Sequence, residues 1–314
     1  MKGNTKRIKR AEKAEKATNM NDWKPSETYQ KIAEANRFYY KQTAELYDQT
    51  EGSVVDSTEQ TLLENELERA LGLVGKPNAE IKALDACGGS GTVSVKLFRQ
   101  EGVKVTLTDI SAELIGIFQR KSRELGKQAE CHCKEIGDFL SETRQTFDLI
   151  VFSSALHHLE NIEAVLTLAF QRLAPGGILL TLFDPTERSQ LKTMTRAVQR
   201  VDYYVFKIFH QGTDLPKAIG RRMRRIISGT TADKKATMMI DASTAGMLAE
   251  YHTEKGINDI ELVEKMKKAG FEVIQHDRYA GGRTNLVRRA IRSFGDVTAF
   301  KLILRKPQER EKPS

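Results

Sequence analysis

The sequence predicts an α/β fold, a doubly wound parallel sheet with helices on both faces and a helical insertion after the fifth strand. Three observations carry this. Short apolar segments alternate with amphipathic segments from residue 81 to 183. A glycine-rich loop joins the first apolar segment to the first amphipathic one. The alternation then stops at Asp184-Pro185 and resumes near Asn258.

Taken in order, residues 1–24 are polar and charged with almost no apolar period, which predicts a disordered basic arm. Aromatics recur at Tyr29, Phe38, Tyr39, Tyr40 and Tyr47, which predicts one or two short helices packed on the main domain. Leu63, Leu67, Leu71 and Val74 form one face of a helix over 57–74, ended by Gly75-Lys76-Pro77-Asn78. Strands are expected at 81–86, 103–108, 129–136, 147–153 and 178–183. Helices are expected at 92–100, at 111–125 with Ser111 as cap, and at 162–173, stopped by Pro175-Gly176-Gly177.

Past Pro185, the residues Leu191, Met194, Val198, Val201, Val205 and Ile208 form a heptad-like seam, read as packing onto the parent domain. A second, basic helix follows, with Ile219, Met223 and Ile226 opposite Arg221, Arg222, Arg224 and Arg225. Asn258 and Glu261 can cap the helix that reopens the core, and 271–276 and 299–304 read as the last strands. The expected organisation is therefore an arm (1–24), N-terminal helices (25–79), a core (80–185), a helical cap (186–257), the rest of the core (258–306) and a tail (307–314).

The chain has 314 residues, 39% of them apolar, and a net charge of +8. Residues 1–16 hold seven Lys/Arg against two Glu, and residues 216–235 seven against one Asp, so the core itself is slightly acidic. Basic appendages suit nucleic acid, an anionic membrane surface or a phosphorylated acceptor. No apolar run approaches the ~20 residues of a membrane span. The three cysteines suggest no disulfide framework, which fits a cytoplasmic protein, with peripheral membrane association left open.

The loop Asp85-Ala86-Cys87-Gly88-Gly89-Ser90-Gly91 is the sharpest signal. Its glycines allow a tight turn and close approach of a ligand to the main chain, and the next helix offers free N–H groups. A dinucleotide fingerprint would place a third glycine where Ser94 stands. A carboxylate at Asp85 repels a pyrophosphate and attracts an ammonium group, which favours the methionine end of S-adenosylmethionine over NAD. Asp109, 18 residues past Gly91, sits where a strand-end carboxylate takes ribose hydroxyls.

These motifs resemble the class I S-adenosylmethionine methyltransferases, near the quinone-biosynthesis group. The series is LDACGGSG (84–91), TLTDIS (106–111), IGDF (136–139), FDLIVFSSALHHL (147–159) and RLAPGGILLTL (172–182), with weaker matches at KAGFEVI (268–274) and FKLILRKP (300–307). The resemblance implies a Rossmann-like seven-stranded sheet whose last strand is antiparallel. It implies that Asp85, Gly88, Gly89 and Gly91 hold the methionine moiety, and that Asp109 takes the ribose with Ile110 against adenine. It implies Asp138 on the adenine amino group, Phe139 on the ring, the stretch from Ser153 and Ser154 to His158 lining the pocket beneath the sulfonium, and Tyr47 closing over the cofactor. Cys87 departs from the family loop, which has glycine there.

Methyl transfer is an in-line displacement, and a base is needed only where the acceptor must lose a proton. His157 and His158, after the fourth strand, are the candidates. Tyr251 and His252 could reach the acceptor from the insertion. Cys131-His132-Cys133 lacks a second cluster to complete a zinc site, so no metal is expected. The expected function is methylation of a small-molecule or lipid-linked acceptor at oxygen or carbon. Two alternatives stand beside it: an RNA-directed enzyme using the basic arm and cap, and a catalytically inactive S-adenosylmethionine-binding regulator. Nucleic acid is the weaker partner, because the Asn/Asp-Pro-Pro-aromatic motif of base amino-methylating enzymes is replaced by Ser153-Ser154-Ala155-Leu156. A homodimer through the 191–208 seam is left open.

Overall fold

A computed structural model of the chain describes residues 23–50, 56–76, 79–211, 255–282 and 284–308. Residues 1–22 of the arm, the Arg221–Arg225 stretch, Tyr251 and His252 lie outside the described residues. Among the described residues, no helix is long and apolar enough to cross a membrane.

Helix α1 (Glu27–Thr50) precedes α2 (Ser57–Val74). The core then alternates: β1 (Ile81–Ala86), α3 (Thr92–Leu97), β2 (Val103–Asp109), α4 (Ala112–Glu124), β3 (Glu130–Cys133), α5 (Ile136–Glu142), β4 (Phe147–Ser153), α6 (Ile162–Arg172) and β5 (Leu173–Pro185). Helix α7 (Thr193–Gln211) leaves the sheet. The chain returns as α8 (Asp259–Lys268), β6 (Glu272–Tyr279), α9 (Asn285–Ser293) and β7 (Ala299–Arg305).

The sheet has seven strands in the order β3-β2-β1-β4-β5-β7-β6. β1 to β5 are parallel, and β7 runs antiparallel between β5 and β6. The order reverses between β1 and β4, and open sheets of this kind bind ligands at the carboxyl edge of that crossing. Period 2 explains the apolar runs of the central strands. Leu84, Ile150 and Phe152 face one core cluster, while Ala83, Leu149 and Val151 face the other. Local signals set several ends. Asp56 caps α2 and Gly75 ends it at φ 64°. Ser111 accepts from Leu114 N–H, and Asn258 from Glu261 N–H.

Four expectations change. The aromatic-rich N-terminal segment is one helix of 24 residues, not one or two short ones. The third strand ends at Cys133, because Glu135 caps a helix that begins at Ile136. The fifth strand begins at Leu173, and its pairing with β4 shifts register so that Pro175-Gly176-Gly177 runs inside it. The 191–208 seam does not pack as a unit. Leu191 is buried, but Met194 and Val201 are 61% and 62% exposed, while Thr195 and Asp202 are buried instead. A polar anchor sets this rotation: Lys192 N–H and the Thr195 hydroxyl both donate to Asp296. The side chains of Val205 and Ile208 lie outside the described residues.

Candidate functional site

A cleft of about 700 Å³, open mouth included, lies at the carboxyl edge of β1, β2 and β4. The 87–91 loop is its floor and α1 its roof.

The floor is a tight hydrogen-bonded turn. Gly88 N–H donates to Thr108 C=O at 3.0 Å and Gly91 N–H to Gly88 C=O at 2.8 Å. Gly89 N–H donates to Asp109 at 2.8 Å, and Asp109 also accepts from Ser111 N–H at 2.8 Å. Asp109 and Gly89 thus form one rigid edge of the cleft. Gly91 has φ 83°, and a Cβ there would lie 2.1 Å from the Phe118 ring. Cys87 sits at φ 55°, a conformation that favours glycine, so the departure at this position carries backbone strain. Burial pushes the Cys87 thiol up, which works against thiolate chemistry.

Gly88 and Gly91 shape the turn without lining the cleft. Asp85 also lies beneath the loop rather than on the cleft wall. Its Oδ2 accepts from Ser94 N–H at 3.0 Å and Ser94 Oγ at 2.6 Å. Ser94, read as the missing third glycine, is therefore the hydroxyl partner that holds Asp85. Asp85 Oδ1 is buried with no hydrogen-bond partner among the described residues.

The roof is pinned at both ends. Trp23 Nε1 donates to Asp138 at 2.9 Å and Ser26 Oγ to Glu160 at 2.7 Å. At the other end Asp48 accepts from Ser90 Oγ and pairs with Lys121 at 2.6 Å. Between the pins, Tyr29, Ile32, Asn36, Tyr40 and Tyr47 line the cleft. Tyr47 lies over Gly89, its hydroxyl 3.5 Å from where a Cβ would stand. Asn36 is buried, and its Oδ1 has no partner among the described residues.

Two residues expected at the adenine lie away from the cleft. Asp138 holds Trp23, and Phe139 is buried in the core against Phe147. Neither lines the cleft. Both sit in the first turn of α5, and the residues facing the cleft are Glu135 and Ile136, three positions earlier. Glu135 accepts from Gly137 N–H at 2.7 Å, and burial pushes its carboxyl up to about 7. Ile110 lines the cleft.

At the far end Ser153 and Ser154 line the cleft, Ser154 at φ 54°. A short 3₁₀ turn, Leu156–His158, then divides the two histidines. His158 faces the cleft, its Nε2 3.3 Å from the Tyr40 hydroxyl. His157 does not line it. Its Nδ1 lies 2.9 Å from Asp184 Oδ1, which also accepts from His157 N–H at 3.1 Å. Asp184 is fully buried, and burial pushes its carboxyl up to about 7. The two imidazoles are 4.0 Å apart. Asn36, Tyr40, Glu135 and Asp184 belong to no motif; a carboxylate closing the apolar run 178–183 is the one sign of them in the sequence.

The wall fits a ligand that carries hydroxyls and an amino group. Asp109 and Glu135 are acceptors with spare lone pairs, and Asn36 Oδ1 is a buried acceptor without a donor. Burial pushes Asp109 up to about 6, a penalty that donors from a ligand would offset. No group of His, Cys, Asp and Glu among the described residues could hold a metal ion.

Comparison with known proteins gives the same class. Residues 55–276 match the methyltransferase domain family. The ubiquinone biosynthesis O-methyltransferase of Xylella fastidiosa is 31% identical over 137 residues, which is 44% of this chain and 54% of that protein. The ubiquinone/menaquinone biosynthesis C-methyltransferase of Blochmanniella floridana is 31% identical over 130 residues, 40% of this chain and 49% of that protein. The chain thus spans about half the length of the curated relatives it matches. Among solved structures, the magnesium protoporphyrin IX methyltransferase of Synechocystis shares the fold at 13% identity, with a TM-score of 0.51 over 88% of this chain and 99% of that one. The chain belongs to the methyltransferase domain family, as its resemblance to the class I S-adenosylmethionine methyltransferases led us to expect.

Proposed function

We propose that the chain transfers the methyl group of S-adenosylmethionine to an oxygen or carbon of a small or lipid-linked acceptor. The observation that carries this reading is the polarity of the cleft. One end is built from Gly89, Asp109, Glu135 and Asn36, and the other from Ser153, Ser154, His158 and Tyr40. When bound, the cofactor supplies an electrophilic methyl group on a cationic sulfur. Gly89 and Tyr47 would hold its methionine end and Asp109 its ribose. Ile110 and Ile136 would flank the adenine, with Glu135 accepting from its amino group.

The chain's own contribution is then positioning and exclusion of water. Helix α1 closes the cleft over the ligand. His158 stands where an acceptor hydroxyl would need a base, with Tyr40 beside its Nε2. His157 is withdrawn into a hydrogen bond with Asp184 and serves to fix the 3₁₀ turn that aims His158. The match to quinone-biosynthesis O- and C-methyltransferases supports this acceptor class.

The test is incubation of the chain with cell extract and methyl-labelled S-adenosylmethionine, followed by fractionation. Label is expected in lipid or small molecules. Label confined to nucleic acid or protein, or in no fraction, contradicts the reading. With an oxygen acceptor in hand, His158→Ala is expected to lower kcat about 100-fold, within the usual worth of a general base, with cofactor affinity unchanged.

A further inference from the structure

Helices α7 and α9 present an unusual surface. Five large apolar side chains are strongly exposed among the described residues, and three of them stand here: Met194 (61%), Val201 (62%) and Leu286 (78%). Arg196, Arg200, Arg289 and Arg292, on the same two helices, are exposed and make no ion pair among the described residues. The contrast is Arg288 on the same helix, which is buried and bonded to Asp56 at 3.0 Å and to Gly282 C=O. α9 contains no acidic residue, and Asp202, the one acid of α7, is buried.

Helical geometry places these groups on the solvent side of each helix. At 100° per residue, Met194 and Val201 flank the outer face of α7 opposite Arg196 and Arg200. Leu286, Arg289 and Arg292 span the outer arc of α9, while Arg288 and Ile291 face inward. The helices are joined by Lys192, whose ammonium donates to Phe294 C=O. α7 follows the carboxyl end of β5. β6 is antiparallel to β7 and hence parallel to β5, so α9 follows a carboxyl end too. α9 joins the carboxyl end of β6 to the start of β7, which pairs with the carboxyl end of β5, so α9 and the start of α7 stand at the same edge of the sheet as the cleft.

We propose that the α7–α9 face docks on an anionic membrane surface, with Met194, Val201 and Leu286 entering the interface and the four arginines against lipid phosphates. Isolated apolar side chains among unpaired guanidiniums of one sign match that boundary, apolar below and negative above. A polyanion such as RNA would use the arginines and leave the apolar side chains without a role. The inference goes beyond the methyl-transfer reading and does not depend on it.

The test uses the full chain and vesicles of phosphatidylcholine alone or mixed with phosphatidylglycerol, near 0.1 M salt, read by co-sedimentation. Binding is expected only to the mixed vesicles. One variant carries Arg196→Gln, Arg200→Gln, Arg289→Gln and Arg292→Gln; another carries Met194→Ser, Val201→Ser and Leu286→Ser. Each is expected to lose at least tenfold in partitioning, since one basic side chain near such a surface is worth about fivefold. Melting temperature and S-adenosylmethionine affinity should stay unchanged, which separates this proposal from the reading of the cleft. The proposal is overturned if the wild type binds neither vesicle or both equally, or if either variant binds as the wild type does. It is also overturned if the serine variant turns a dimer into a monomer, since the face would then join copies of the chain.

Discussion

The 87–91 loop rests on β1 and β2, whose inward side chains are buried on both faces of the sheet, whereas α1 crosses the cleft on a few contacts. The floor is fixed by backbone hydrogen bonds and by a glycine that meets a core ring. The roof holds through Trp23 and Ser26 at one end, Asp48 at the other, and the buried side chains of Tyr29, Ile32, Ala35, Asn36 and Ala44. Opening the floor would break the fold. Opening the roof would break a handful of half-exposed bonds, each worth about 1 kcal/mol or less. A ligand that must enter and leave is therefore expected to pass under α1, the less stable of the two regions.

The largest effect should come from the floor. Gly91→Ala puts a methyl group into Phe118 and a side chain at φ 83°. It is expected to cost about 3 kcal/mol of stability, read by denaturant unfolding. A loss below about 1 kcal/mol would mean that the loop is softer than described. The roof should behave oppositely. Asp48→Ala removes the pin to Ser90 and Lys121, and should leave stability within about 1 kcal/mol while speeding S-adenosylmethionine release several-fold. Equal release rates would place ligand exit elsewhere.

pH sharpens the comparison, because the two buried carboxyls at the cleft edge respond with opposite signs to folding and to binding. Burial raises Asp109 to about 6 and Glu135 to about 7. A carboxyl raised by folding contributes stability that is full below its unfolded value and is lost as pH rises through its folded value. The free protein should therefore lose part of this contribution between pH 5 and 7. Ligand hydroxyl donors favour the ionised form of Asp109, so cofactor affinity should rise over the same range. Calorimetry at several pH values checks this, and affinity falling as pH rises would contradict it. The smallest effect is expected at Cys87. Replacing it with glycine relieves the strain at φ 55° and should stabilise the protein by about 1 kcal/mol in thermal unfolding.

The floor was also the more legible region. Leu84, Ile150 and Phe152 alternate with Ala83, Leu149 and Val151 at the strand period, and glycines at 88, 89 and 91 punctuate the turn. Asp109, Ile110, Ser153 and Ser154, each within a motif, line the cleft. The roof was hidden because its residues matter through tertiary placement. Asn36 is an ordinary polar residue on a helix until burial strips its Oδ1 of partners. The apolar pattern places Glu135 inside a strand over 129–136, and only its cap on α5 turns it to the cleft and Asp138 and Phe139 away. The two adjacent histidines looked equivalent in sequence, yet Asp184, 27 residues after His157, takes one and leaves the other to the cleft. Likewise Asp296, about 100 residues from Thr195, rotates α7 so that Met194 and Val201 face outward.

The central claim is that Asp109 and the loop it braces form a site for S-adenosylmethionine. Calorimetric titration of the wild type and of Asp109→Ala tests it most directly. The wild type is expected to bind, and the variant, less stable for the loss of the acceptor of Gly89 N–H and Ser111 N–H but still folded at the temperature of the titration, to bind at least tenfold more weakly. Absence of binding by the wild type, or equal affinity in the variant, would contradict the account.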